Sequence, residues 1–147
     1  MDKADMFSAL HVPGDPLVLY NIWDAGSARA VADAAHAWQA DRVVAEANQG
    51  GQMVASVLRA ADIALAVKLV HASRGKTARA EPIAALYEAG RVRHTGLFAA
   101  LEDEMCGLVA GGGYEGPGRS PDRADALVWA LTELMLVKRA APRVRWI

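Results

Sequence analysis

"RVVAEANQGGQM", Arg42 to Met53, passes within twelve residues from a strand to a carboxylate to a glycine turn to a helix. Val43, Val44 and Ala45 suit a buried strand. Glu46 follows at its end, then Asn48, Gln49 and the pair Gly50-Gly51, before apolar residues resume at helical spacing with Met53, Val54, Val57, Leu58 and Ala61. A strand that stops at an acid and turns on two glycines either ends in water or presents that acid to something. The strand–turn–helix reading itself sets the fold class, because it is repeated along the chain.

Working outward, "LVLYNIW" (Leu17 to Trp23) is a short apolar run after a proline and reads as a buried strand. "AGSARAVADAAHAWQA" reads as a helix, with Ser27 as a candidate N-cap and Ala30, Val31, Ala34, Ala35 and Trp38 on one face. A third strand is expected over Ala66 to His71. "KTARAEPIAALYEAG" is helical at least after Pro82 and ends at Gly90, "RVRHTG" is a short strand or extended connector, and "LFAALEDEMCGLV" is a helix. The glycine-rich run Gly111 to Ser120 is a loop. "SPDRADALVWALTELMLVKR" closes the chain as one helix, with Ser120 at the N-cap, Pro121 at the first helical position, Asp122 in the first turn, and Lys138 and Arg139 at the end. Strands alternating with helices imply an α/β fold with a mainly parallel sheet flanked by helices. The strand at Leu17 to Trp23 is expected to pair in parallel with Val43 to Glu46.

Composition narrows the function classes. The chain has 147 residues, 53% hydrophobic and 22% charged, with a net charge of −1, which suits a globular domain and gives no global attraction to nucleic acid. A single cysteine, Cys106, excludes an internal disulfide, and a reducing, cytoplasmic setting is expected. Cys106 is expected to be a small buried residue. No apolar run approaches the roughly 18 residues of a membrane span, so no membrane association is expected. "VHASRGKT" ends like a phosphate-binding loop, but that motif needs glycine where Val70 stands.

Asp122 and Asp125 are three apart at a helix start, so both project from one side at its positive end. One reading is dipole complementation alone. The other joins them with strand-end Glu46 as hard oxygen ligands for divalent metal, with which phosphodiester cleavage becomes accessible.

Three blocks, "RVVAEANQGGQMV", "HASRGKTARAEPIAALYEAGRVRH" and "SPDRADALVWALTEL", resemble the C-terminal nuclease domain of phage and gene-transfer-agent large terminase subunits, over about residues 29–147. The resemblance implies a partial RNase H-like fold, truncated relative to the family. It implies cleavage of double-stranded DNA during packaging, Mg²⁺ or Mn²⁺ as cofactor, and other packaging proteins as partners. By motif it assigns Glu46, Asp122 and Asp125 to metal binding and catalysis, and Lys76 and Arg79 to DNA phosphate. The family's first metal-binding aspartate has no readable counterpart; Asp24 is the weak substitute. Residues 1–28, through "WDAGSAR", resemble instead the start of the isocitrate lyase/phosphoenolpyruvate mutase barrel, which implies a fusion. Two other readings stand beside the nuclease: a non-catalytic remnant or interaction module on the same scaffold, and a lyase-like small-molecule enzyme.

Overall fold

The computed structural model describes residues 25–48 and 50–137. The chain divides into two compact units, Met1–Ala72 and Ser73–Ile147. The expected strand at Leu17 to Trp23, the weak candidate Asp24, and the expected helix end at Lys138 and Arg139 lie outside the described residues.

In the first unit, helix α1 (Ala25–Ala37) is followed by strand β1 (Val43–Glu46), helix α2 (Gln52–Ala61) and strand β2 (Val67–Val70). The two strands pair in parallel, with Val43 opposite Val67 and Glu46 opposite Val70. Parallel neighbours need a crossover, and α2 supplies it. Ala28, Ala45 and Leu58 form the centre of the core, one from each of α1, β1 and α2, with Val31, Val43, Val54, Val57, Leu65, Val67 and Leu69 packed around them. The small buried pair Ala28 and Ala32 recurs at i, i+4 along α1. That face opposes α2. Ser27 lies inside helix α1 and is not the cap expected from sequence.

The turn after β1 uses its glycines. Gly50 has φ +95° and Gly51 φ +49°, both in the region that side chains with a Cβ disfavour. Asn48, just before them, ties the strand ends together: its Nδ2 donates to the Ala72 carbonyl at 2.8 Å, and its Oδ1 accepts from the Ala72 amide at 2.7 Å. A side-chain amide thereby supplies the paired donor and acceptor that a further strand residue would have offered.

In the second unit, helix α3 (Lys76–Glu88) leads through a connector to α4 (Ala99–Cys106), a glycine-rich loop and α5 (Asp122–Leu131), which continues as a π-helical turn over Thr132–Leu136. Ile83, Leu86 and Val128 form its core, with Ala80, Tyr87, Val92, Leu131 and Met135 against them. Two expectations are resolved here within the alternatives the sequence leaves open, at Pro82 and at "RVRHTG", and two are corrected, in the last helix and at Cys106. Helix α3 starts at Lys76 and runs through Pro82, which is exposed and lacks only the one N–H that would bond four residues back. "RVRHTG" is a connector without strand pairing among the described residues. The last helix is not uniform, because the Val137 amide reaches the Thr132 carbonyl five residues back, at 3.0 Å. Cys106 is exposed, as the last residue of a short helix facing solvent.

The loop before α5 folds back on Gly107. Leu108 bridges Tyr114, and the Glu115 amide donates to the Gly107 carbonyl at 2.8 Å. A Cβ on Gly107 would lie 2.4 Å from the Gly116 backbone, so the close approach requires glycine.

Candidate functional site

Helices α3 and α5 each place two charges of one sign at i, i+3 in their first turn. Lys76 and Arg79 open α3; Asp122 and Asp125 open α5. The same helical period brings both members of each pair to one side, so the two cations meet the two acids. Lys76 Nζ donates to Asp122 Oδ1 at 2.8 Å and lies 3.7 Å from Asp125 Oδ2. Arg79 Nη2 donates to Asp125 Oδ1 at 2.5 Å. Two lysine and arginine charges at the positive end of a helix are unfavourable by themselves, and the facing carboxylates offset them.

The two pairs differ in setting. The Arg79 and Asp125 side chains are each only 12% exposed. Arg79 is also held by the Arg74 carbonyl, to which Nη1 donates at 2.8 Å, and its guanidinium stands 4.9 Å above the Trp129 ring. Asp122, by contrast, is 65% exposed and Lys76 36%. Ser120 completes this outer pair: Lys76 Nζ donates to its Oγ at 2.6 Å, and its hydroxyl donates to Asp122 Oδ1 at 2.7 Å. Partial burial pushes the Asp122 carboxyl up. The hydrogen bonds from Lys76 and Ser120, with the charges of Lys76 and Arg123, outweigh it and hold the group below its ordinary value.

Glu104 on α4 fixes the helix start that carries these acids. Ser120 does not cap α5; the cap position is Pro121, which has no side-chain hydrogen bond to offer. Glu104 Oε2 accepts from the Arg123 and Ala124 amides at 2.7 and 3.1 Å, and Oε1 accepts from Arg123 Nη1 at 2.7 Å. Glu104 is 3% exposed, and these donors satisfy a carboxylate that burial would otherwise penalise. The sequence reading does not single out Glu104, and it gives Ser120 a capping role in place of its contacts with Lys76 and Asp122. The signal for Glu104 is an acid three residues after Leu101, on the same side of α4.

Glu46 stands exposed at the carboxyl end of β1, in the first unit. Among the described residues, no three or more His, Cys, Asp or Glu side chains gather into a metal-binding group. The second unit therefore contributes two carboxylates. Their donor type fits a hard divalent cation, and an ammonium group between the two acids shows that the position attracts positive charge. Two carboxylates are part of the six-oxygen set such ions take, so further oxygens are needed.

A second polar cluster lies in the same unit. His94 Nδ1 is 2.7 Å from Glu102 Oε1, and His94 Nε2 is 2.8 Å from Tyr87 Oη, with the imidazole edge-on to Tyr87 and Phe98. It pins the connector to α3 and α4.

Residues 21–134 match the family model described as the terminase RNaseH-like domain. The matched span takes in Asn21 to Ala28, inside the segment whose motif resembles a lyase barrel, and the lyase resemblance finds no support. No curated protein matches the chain, and no solved structure does. No described helix is long and apolar enough to cross a membrane.

Proposed function

The chain belongs to the terminase RNase H-like family, and from that premise we propose that it is a DNA-packaging nuclease domain, cutting double-stranded DNA with Mg²⁺ or Mn²⁺ held by Glu46, Asp122 and Asp125. The observation that carries this reading is the acid pair at the start of α5, which already gathers a cation. When bound, divalent ions lower the pKa of an attacking water and stabilise the leaving oxygen of the phosphodiester. Asp122 is the accessible acid of the pair. Asp125 stands behind it, oriented by Arg79, and Glu46 supplies the strand-end carboxylate. Lys76 and Arg79 are the proposed DNA-side cations, Lys76 the exposed one and Arg79 the one held against Asp125, and other packaging proteins are the proposed partners.

The test is cleavage of linear or supercoiled duplex DNA in Mn²⁺ and in Mg²⁺. Weak cutting without strong sequence preference is expected, better in Mn²⁺, whose coordination tolerates an incomplete ligand set more readily than Mg²⁺. Glu46→Gln and Asp122→Asn should each abolish it while the protein stays folded. Persistence of cutting in either variant defeats the assignment.

One observation favours a second reading, a non-catalytic interaction module on the same scaffold. Both helix acids carry protein cations of their own, a self-neutralised arrangement that needs no metal for stability. A folded protein that binds DNA but shows no metal-dependent cleavage would decide for it.

A further inference from the structure

The unequal exposure of the two ion pairs separates their roles. Arg79 is locked by Asp125, the Arg74 carbonyl and the Trp129 ring, and leaving that position would strand a largely buried carboxylate. Lys76 is bound less firmly. Its partner Asp122 is mostly in water, where an ion pair is weak, and a divalent ion arriving at Asp122 competes with a monovalent ammonium for the same oxygen. The two cannot share Oδ1 without bringing positive charges together. Lys76 sits on a flexible four-carbon stem at the first position of α3, so it can swing out without disturbing the helix.

We propose that Lys76 is a displaceable counter-cation: it pairs with Asp122 while that acid lacks a divalent ion, and is released to backbone phosphate when one binds. This rests on the nuclease reading for the nature of the metal and the polyanion. It goes further in making metal and DNA binding mutually reinforcing, since each ligand removes the internal partner of the group the other needs. Coupling of this kind is reciprocal by thermodynamic necessity. The metal-free protein is thus partly self-inhibited toward DNA, with Asp122 occupying the lysine that DNA would use.

The experiment is fluorescence anisotropy of the full chain with a labelled duplex, in EDTA and in Ca²⁺, which supplies the divalent charge while supporting little cleavage. Four proteins are compared: wild type, Asp122→Asn, Lys76→Gln and the double variant. In EDTA, Asp122→Asn should bind DNA more tightly than wild type, by on the order of fivefold. In the Lys76→Gln background the same change should give much less. Ca²⁺ should tighten wild-type binding and steepen its salt dependence by about one phosphate contact, a log–log slope change near 0.9. Lys76→Gln should lose that response. If Asp122→Asn tightens binding equally in both backgrounds, the gain is loss of a repulsive charge alone and the proposal fails. It also fails if Ca²⁺ acts equally on wild type and Lys76→Gln, or has no effect on wild type. Failure of the nuclease reading is seen separately, as absence of Mn²⁺-dependent cutting while the lysine-dependent coupling in EDTA persists.

Discussion

Arg79 and Asp125 meet at 2.5 Å between the first turns of two helices, each side chain 12% exposed, with the guanidinium stacked over Trp129. A charge pair this far from water depends on both members. Removing one leaves the other desolvated and uncompensated, whereas removing both leaves a gap that apolar residues tolerate.

Arg79→Met and Asp125→Asn should therefore each destabilise the protein by about 3 kcal/mol, at the lower end of the range for broken buried pairs. Arg79→Met combined with Asp125→Asn should cost less than the two single losses together. Urea denaturation with a double-mutant cycle measures the coupling. Simple additivity of the two single losses would show that the contact contributes nothing beyond its separate parts.

Asn48 should matter beyond its exposure. Its amide joins the end of β1 to Ala72 through two hydrogen bonds. Asn48→Ala should cost about 1–2 kcal/mol and speed exchange of the Ala72 amide. Asn48→Asp should do no better, since a carboxylate keeps the acceptor but faces the Ala72 carbonyl without a donor. Unchanged Ala72 exchange in both variants would refute the clamp.

Glu104 offers a contrast between shape and charge. Glu104→Leu removes the acceptor for two amides at the α5 start, and a loss of about 1.5–3 kcal/mol is expected, as for hydrogen bonds to a charged group. Glu104→Gln keeps one carbonyl oxygen for those amides but sacrifices the Arg123 pairing. It should be intermediate. Hydrogen exchange at Arg123 and Ala124 reads the effect directly, and equal protection in wild type and Glu104→Leu would remove Glu104 from the capping role.

These contacts mark where sequence reading stops. The alternation of Val43–Glu46, Gln52–Ala61 and Val67–Val70 was legible because strand and helix periods leave different apolar patterns, and Gly50-Gly51 announced the turn between them. The i, i+3 spacing of Asp122 and Asp125 was legible for the same local reason. What faces those acids was not. Lys76 and Asp122 are 46 residues apart, and nothing in either local pattern says that the two helix starts adjoin. Glu104 reads as one more acid in "LEDEM" until α5 is placed against it, and the Ser120-Pro121-Asp122 signature suggests a conventional cap that the neighbouring helix supplies instead. Local rules found the elements. Contacts made in three dimensions set the caps and counter-ions.

The His94 cluster leads to a pH prediction. The hydrogen bond from His94, followed by that from the Phe98 amide, outweighs burial and holds the Glu102 carboxyl below its ordinary value. A carboxylate whose folded value is lowered stabilises the fold above the unfolded value, about 4.3, and loses that contribution as pH falls through the folded one. Tyr87 is shifted the other way, upward, by burial and then by the charge of Glu102. Its effect falls in alkali, near and above about pH 10, and leaves the acid side to the carboxylates. Glu102→Gln retains an acceptor for His94 but does not titrate. The stability difference between wild type and Glu102→Gln, measured by urea unfolding in the acid range, should shrink as pH drops below about 4.3. A difference that stays constant through that acid range would mean that Glu102 titrates alike in the folded and unfolded chain, and that its bond to His94 adds nothing to the fold.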